Sequence, residues 1–324
     1  MEKITVRAPA TVANVVCGFD CLGFAIKEPF DEITISIIEE QTVKIKHLDN
    51  FNLPTEADQN VAGKAVLAMI EKIQSSDHKK PLSPPKNLEH IGFQIEIKKG
   101  IKPGSGIGSS AASAVGAVVA ANELLGNHFR TNELLEFALA GEELASQGRH
   151  ADNIAPCLLG GFTLVRSVDP LDIVKLEFPP LFVTVIHPQI EIKTSEARKI
   201  LPQQIPLKTA VKAWSNLGAF VSALSKGDYE LLARSMEDEI IEPVRKGLIP
   251  YFDELKKAGL KAGALGGGIS GSGPSVFMLS KSQEIAQNVA QEMSGILDKN
   301  RIPFKAYVSE IDSEGTKVIP RRKA

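Results

Sequence analysis

Seven consecutive residues, Gly104-Ser105-Gly106-Ile107-Gly108-Ser109-Ser110, restrict this chain more than any other stretch of it. They join a segment of strand alternation to a run of small residues. Phe93, Ile95 and Ile97 alternate with Gln94, Glu96 and Lys98, the period of a strand with one buried face. Ala111 to Leu125 reads as a helix that stops at Gly126. A strand, a glycine-rich turn and a helix in that order leave unpaired backbone N–H groups at the helix start. Those groups and the helix dipole favour an anion. Glycine reaches positive φ and lets the backbone come close to a ligand. The two serines add hydroxyls, one of which can also ligate a metal.

Three ligand classes use turns of this kind. A Walker loop ends in Gly-Lys-Ser/Thr, and the sequence contains no such run. Gly106, Gly108 and Ala111 fit the dinucleotide pattern G-x-G-x-x-A. That pattern is followed by a second strand ending in an acid about 20 residues on, whereas Asn132 to Ser146 reads as another helix. On the loop alone, a turn that merely opens a helix stays as an alternative.

The rest of the chain interleaves strands and helices. Residues 3–8, 31–38, Phe162 to Val165, Phe182 to Ile186 and Phe304 to Ile311 have strand character. Asn60 to Ile73, Lys208 to Leu224, Tyr229 to Met236, Tyr251 to Lys257 and Gln283 to Leu297 have helical character. Ile269 to Leu279 reads as a tight turn leading into a strand. Ser75 to Asn87, with Pro81, Pro84 and Pro85, reads as a surface loop. This interleaving points to α+β or α/β layers. A length of 324 residues exceeds what one core usually serves, so two domains are expected, 1–165 and 166–324.

With 37 basic and 39 acidic residues the net charge is -2, which gives no electrostatic reason for a nucleic-acid or membrane partner. No apolar run approaches the roughly 18 residues that span a bilayer. The start, Met1-Glu2-Lys3-Ile4-Thr5-Val6, lacks the features of a signal peptide, so a cytoplasmic location is expected. Arg321-Arg322-Lys323 reads as a solvated end. Cys17 and Cys21 have a metal-like spacing but no matching second pair, so these and Cys157 read as thiols rather than zinc ligands.

The loop with its following Ala111-Ala112 resembles the signature of the GHMP kinases, the group named for galactose, homoserine, mevalonate and phosphomevalonate kinases. Their loop wraps ATP phosphates without a Walker lysine. The family proline two residues before the first loop glycine is Lys102 here, and the proline stands next, at Pro103. Two further segments resemble family motifs, in the family's order. One is Ala8-Pro9-Ala10-Thr11-Val12-Ala13-Asn14 with Gly18-Phe19-Asp20-Cys21-Leu22-Gly23, and the other is Ile269-Ser270-Gly271-Ser272-Gly273-Pro274-Ser275. The resemblance implies an α+β chain of two domains. The first would have a mixed sheet and the glycine-rich loop, the second a ferredoxin-like α/β sandwich. It implies ATP contacts at Asn60, Lys102, Pro103, Gly104, Ser105, Gly106, Ile107, Gly108, Ser109, Ser110, Ala111 and Ala112. A homodimer is implied by the family alone.

Finer details are similar to the branch that phosphorylates homoserine. They are Asn14, Gly18-Phe19-Asp20, His150-Ala151-Asp152-Asn153-Ile154-Ala155-Pro156 with Gly160-Gly161, Thr194-x-Glu196-Ala197-Arg198, and Ile241-Glu242-Pro243-Val244-Arg245. Val12, Val16 and Cys17 depart from that pattern, between the matching polar residues. The chemistry agrees with the resemblance. L-homoserine is a zwitterion with a primary hydroxyl. Its carboxylate suits guanidinium groups, here Arg198 and Arg245. Its ammonium suits a carboxylate, here Asp20, and Asn14 and His150 can bond the remaining polar atoms.

By the same resemblance Ser110 and Glu143 are the Mg2+ ligands. Glu143 is chosen over Glu142 because the family glutamate precedes Leu144-Ala145-Ser146. Asn153 stands where many superfamily members carry an aspartate base, and an amide there can orient the hydroxyl. Asp152 is the rival base. The alternatives are a kinase for another small alcohol, a non-catalytic nucleotide-binding sensor and, more distantly, a dinucleotide oxidoreductase.

Overall fold

The protein was analysed as a computed structural model that describes residues 3–75, 91–146 and 148–320. Nearly all of the proline-rich loop and all of the basic tail lie outside these residues. The first half runs β1 (Lys3–Ala13), β2 (Leu22–Ile38), β3 (Val43–His47), α1 (Val61–Gln74), β4 (Gly92–Lys98), α2 (Ser109–Leu124), α3 (Thr131–Ser146), α4 (Ile154–Leu159), β5 (Phe162–Val168) and β6 (Leu171–Leu176). The second half runs β7 (Phe182–Pro188), α5 (Thr194–Lys199), α6 (Leu207–Lys226), α7 (Tyr229–Ser235), α8 (Glu242–Arg245), α9 (Phe252–Lys261), β8 (Gly266–Ile269), β9 (Val276–Ser280), α10 (Gln283–Lys299), β10 (Phe304–Glu310) and β11 (Lys317–Val318).

Two sheets organise these elements. The larger follows the order β11-β1-β2-β4-β3 and is mixed, because β3 and β4 run parallel while the other pairs are antiparallel. β2 is long enough to serve two neighbours on one side: Glu32 to Ile38 pair with β4, and Leu22 to Phe24 pair with β5, which carries β6. The smaller sheet has the order β10-β7-β9-β8 and is wholly antiparallel. With helices between β7 and β8 and between β9 and β10, that order is the ferredoxin-like sandwich expected for the second half. The expected division at residue 165 falls inside β5. Sheet membership changes after Leu176, and β11 returns to the first sheet.

α2 holds the first half together. Twelve of its sixteen residues are buried, so it is apolar all round rather than striped. It packs against β1 and β2 on one side and against α1 and α3 on another. Small residues permit that approach: a Cβ on Gly116 would lie 2.6 Å from the side chain of Ile33. Beneath the start of α2 sits a fully buried ion pair, Lys99 with Asp31. Asp31 also accepts the N–H groups of Gly100 and Ile101 at 2.9 and 3.0 Å. Lys99 also donates to the Ser109 carbonyl at 2.7 Å and to the Ser113 hydroxyl at 2.9 Å. The segment entering the glycine turn is thereby fixed to both β2 and α2.

The two sheets share an aromatic core. Phe24 of β2 lies 4.7 Å from Phe162 of β5 and 5.7 Å from Phe277 of β9, ring centre to ring centre. Apolar contact across this junction sets the cleft between the halves.

Candidate active site

The glycine turn, the β1–β2 connection, the start of α4 and α5 converge on one cleft of about 430 Å³. The turn presents its N–H groups because its carbonyls are already engaged. Ser275 donates its hydroxyl to the Ser105 carbonyl at 2.6 Å, Ser270 to the Gly106 carbonyl at 2.7 Å, and the Thr11 N–H to the Ile107 carbonyl at 3.2 Å. The N–H groups of Gly106 to Ser110 donate to no other group among the described residues. Two glycines are obligatory here. Gly106 has φ +79°, and a Cβ on it would lie 2.5 Å from the Gly273 carbonyl oxygen. Gly108 has φ +70°, and a Cβ on it would lie 1.9 Å from Thr11 Oγ1. A cradle of unpaired donors at the start of a buried helix is an anion site.

Asn14 ties the N-terminal and C-terminal motifs together. Its amide nitrogen donates to the Gly271 carbonyl at 2.6 Å, and its amide oxygen accepts the Asp20 N–H at 3.0 Å. Arg245, buried, donates to the same Gly271 carbonyl at 3.3 Å and to the Ala197 carbonyl at 3.1 Å. Arg198 and Arg245 both lie over the Phe19 ring, at 5.5 and 5.1 Å. Arg198 and Asp20, expected to take opposite ends of one substrate, grip each other through two bonds of 3.0 and 2.6 Å. Both are about one-third exposed to the cleft.

The carboxylates feel one another. Burial, reinforced by the Asp20 and Glu142 charges, pushes Asp152 up to about 7, with Arg198 opposing. His150, which also lines the cleft, is pushed below its ordinary value, first by burial and then by Arg198. Burial and then Arg198 likewise lower Arg245.

Most residues singled out in the sequence meet in this cleft: Asn14, Asp20, Pro103, Gly104, Ser105, Gly106, Gly108, Ser109, Ser110, His150, Asn153, Arg198 and Arg245 all line it. Glu143 does not, and that expectation is corrected. It points outward to Arg149 at 3.3 Å and is 44% exposed. Glu142, one residue earlier, faces inward and accepts the Ser110 hydroxyl at 2.8 Å. The cause is helical phase. Leu135, Ala138 and Leu139 form the buried stripe of α3, and position 142 continues it.

Asn60, an expected ATP contact, stands at the start of α1 beside Val61, which lines the cleft. Its amide caps α1, accepting from Ala62 and Gly63 and donating to the Pro54 carbonyl at 2.7 Å. Lys102 turns away to Gln189 at 3.1 Å. Ile107, Ala111 and Ala112 are buried in the core, so only their backbones can serve a ligand. Thr11, Thr194, Ser272 and Lys99 carried no assigned role. Thr11 bonds Asn153, and the other three line the cleft. Thr11, Thr194 and Ser272 lay within motifs already visible in the sequence.

Comparison with known proteins adds the following. The family model described as GHMP kinases N terminal domain matches residues 60–161, and that described as GHMP kinases C terminal matches residues 220–298. The homoserine kinase of Chlorobium phaeobacteroides (strain DSM 266) is 45% identical over 98% of this chain and 100% of its own length. That of Chloroherpeton thalassium is 42% identical over the same shares. A crystal structure of homoserine kinase from Cytophaga hutchinsonii superimposes with a TM-score of 0.91 at 48% identity, covering 98% of each chain. A mevalonate kinase from L. major, solved with R-mevalonate, shares the fold at a TM-score of 0.70 and 16% identity.

The raised proton affinity of Asp152 has a signed consequence for stability. In the unfolded chain this carboxyl returns to its ordinary value near 4. Between that value and about 7 the folded protein holds the proton more tightly. The stability contributed by Asp152 therefore falls as pH rises through this window. Asp152→Asn is expected to raise unfolding free energy at pH 8 by up to about 4 kcal/mol, at about 1.4 kcal/mol per unit, and to change it little near pH 4. Urea titration at the two pH values measures this, and a variant weaker than wild type at pH 8 contradicts it.

Proposed function

Since the chain belongs to the GHMP kinase family, in its homoserine kinase branch, we propose that it transfers the γ-phosphoryl group of ATP to the hydroxyl of L-homoserine, giving O-phospho-L-homoserine and ADP. The observation that carries this reading is one cleft holding a cradle of unpaired N–H donors beside a matched carboxylate–guanidinium pair. The cradle suits the nucleotide phosphates. The Asp20–Arg198 pair suits a zwitterion, whose ammonium and carboxylate replace each partner with a charge of the same sign. Arg245 adds a second guanidinium for the carboxylate, and Asn14 and His150 meet the remaining polar atoms. A cytoplasmic setting, a place in threonine synthesis and a homodimeric state belong to the same proposal, on the family's example alone. Among the described residues, no helix is long and apolar enough to cross a membrane.

Ser110 at the start of α2 and Glu142 on α3 fit magnesium. Ser110 Oγ and a Glu142 carboxylate oxygen stand 2.8 Å apart in the cleft, and magnesium takes one or two protein oxygens together with phosphates and water. When bound with the nucleotide, the ion would neutralise phosphate charge. Ser110 and Glu142 would hold it, in place of the Ser110–Glu143 pair expected from sequence.

Phosphoryl transfer of this kind depends mainly on positioning and charge stabilisation. The turn's N–H groups hold the phosphates, and Asn153 orients the attacking hydroxyl. The hydroxyl oxygen bonds the γ-phosphorus as the bridging P–O bond breaks, and the proton leaves to a phosphoryl oxygen or solvent. A second reading is favoured by one observation. Asp152 lines the same cleft with a proton affinity matched to neutral pH, which is where a general base works best.

Three measurements test these assignments. In an ADP-release assay, L-homoserine should exceed mevalonate, galactose and other small alcohols in kcat/KM by about 10²-fold or more. No preference for homoserine would overturn the substrate. Glu142→Gln should lower kcat by about 10²-fold and weaken magnesium dependence, while Glu143→Gln stays within about twofold. The reverse pattern would restore Glu143. Asp152→Asn should lose less than about tenfold in kcat. A loss on the order of 10³-fold with the fold intact would assign the proton to Asp152.

A further inference from the structure

The side chain of Asn153 opens α4 without capping it. Its amide oxygen instead accepts the hydroxyl of Thr11 at 2.6 Å, across 142 residues of sequence. Thr11 sits near the end of β1 and is fully buried. The pair lies directly against the backbone of Gly108: a Cβ there would meet Thr11 Oγ1 at 1.9 Å and Asn153 Oδ1 at 3.0 Å. β1, the last glycine of the phosphate turn and α4 therefore converge on a single amide.

We propose that Thr11 is a positioning residue for phosphoryl transfer, setting the orientation of the Asn153 amide. This rests on the kinase reading above. An asparagine amide has an accepting end and a donating end. With Oδ1 held by the Thr11 hydroxyl, the NH2 group is the end presented to the cleft. It makes no other hydrogen bond among the described residues. An NH2 group donates to a lone pair of the substrate hydroxyl. The hydroxyl's own O–H then turns away from Asn153, toward the phosphate.

A second lone pair attacks the γ-phosphorus, and the new P–O bond forms as the bond to the ADP oxygen breaks. ADP leaves with that electron pair, and the hydroxyl proton passes to a γ-phosphoryl oxygen. If the amide were reversed, Oδ1 would accept the hydroxyl proton and aim the O–H away from the phosphate. The reaction would keep its substrates and lose its alignment. Gly108 adds the steric part, because its missing side chain lets the Thr11–Asn153 pair stand beside the phosphate cradle.

The test is a double-mutant cycle read as kcat and KM separately. Thr11→Val keeps the shape and removes the hydroxyl. It should lower kcat about 10- to 100-fold, with KM for ATP and for the alcohol within about threefold. Thr11→Ser should recover most of that loss. In an Asn153→Ala background, Thr11→Val should cost no further kcat, because the group it orients is gone. The alcohol used is whichever turns over best in the substrate panel, so a wrong substrate assignment shows in wild type and leaves the Thr11 ratios readable. If Thr11→Val does not fold, Thr11→Ala replaces it in both backgrounds, with circular dichroism checking the fold. An equal kcat loss in both backgrounds, an unchanged kcat in Thr11→Val, or no recovery in Thr11→Ser overturns the proposal.

Discussion

The site depends on how the polarity of one short backbone turn is divided. A peptide unit carries a donor and an acceptor, and both need partners when buried. From Ser105 to Ile107 the acceptors are taken by Ser275, Ser270 and the Thr11 N–H. The donors that follow are left for a ligand. An unmet acceptor in this position would cost about 1–3 kcal/mol and would compete for the same ligand space. Because the partners come from β1 and from the β8–β9 turn, both halves of the chain must dock before the cradle exists. The shared aromatic core of Phe24, Phe162 and Phe277 is what brings them together.

Charge is divided in a comparable way. Asp20, Glu142 and Asp152 share one side of the cleft, and burial first, then the charges of Asp20 and Glu142, raise the proton affinity of Asp152. Arg198 answers Asp20 directly, and Arg245 is held rigid by two carbonyls and the Phe19 ring. Asp20 and Arg198 are thus paired with each other inside the cleft. A neutral alcohol entering it gains nothing from the Asp20–Arg198 pair, while a zwitterion can exchange with it end for end.

Much of this was legible in the residues. The glycine turn, its strand and its helix stand where alternation and small-residue patterning put them. The three motifs that meet in the cleft were visible as motifs. The preference for Glu143 over Glu142 rested on the following residues and left out the phase of α3, which Leu135, Ala138 and Leu139 mark plainly and which turns Glu142 toward the cleft. Asn60 reads as well for a helix cap as for a ligand contact, and its bonds to Ala62 and Gly63 show the cap. The short strands β3, β6 and β8 escaped notice for physical reasons. β3 and β6 are edge strands of five and six residues, and β8 is Gly-Gly-Gly-Ile, which carries no side-chain alternation. Thr11 stands inside the N-terminal motif, but its role could not be assigned from sequence, since its partner Asn153 lies 142 residues away.

The return of β11 to the first sheet bears on how the chain is made. Val6 and Arg7 pair with Val318 and Lys317, and the Thr316 N–H closes onto the Cys157 carbonyl at 2.8 Å. A ribosome delivers β1 well before its outer neighbour, with the second half of the fold between them. The first sheet therefore waits through the synthesis of the whole second half with one edge uncovered. A polypeptide stalled before residue 316 would leave the translation machinery with β1 still open to pairing with other chains.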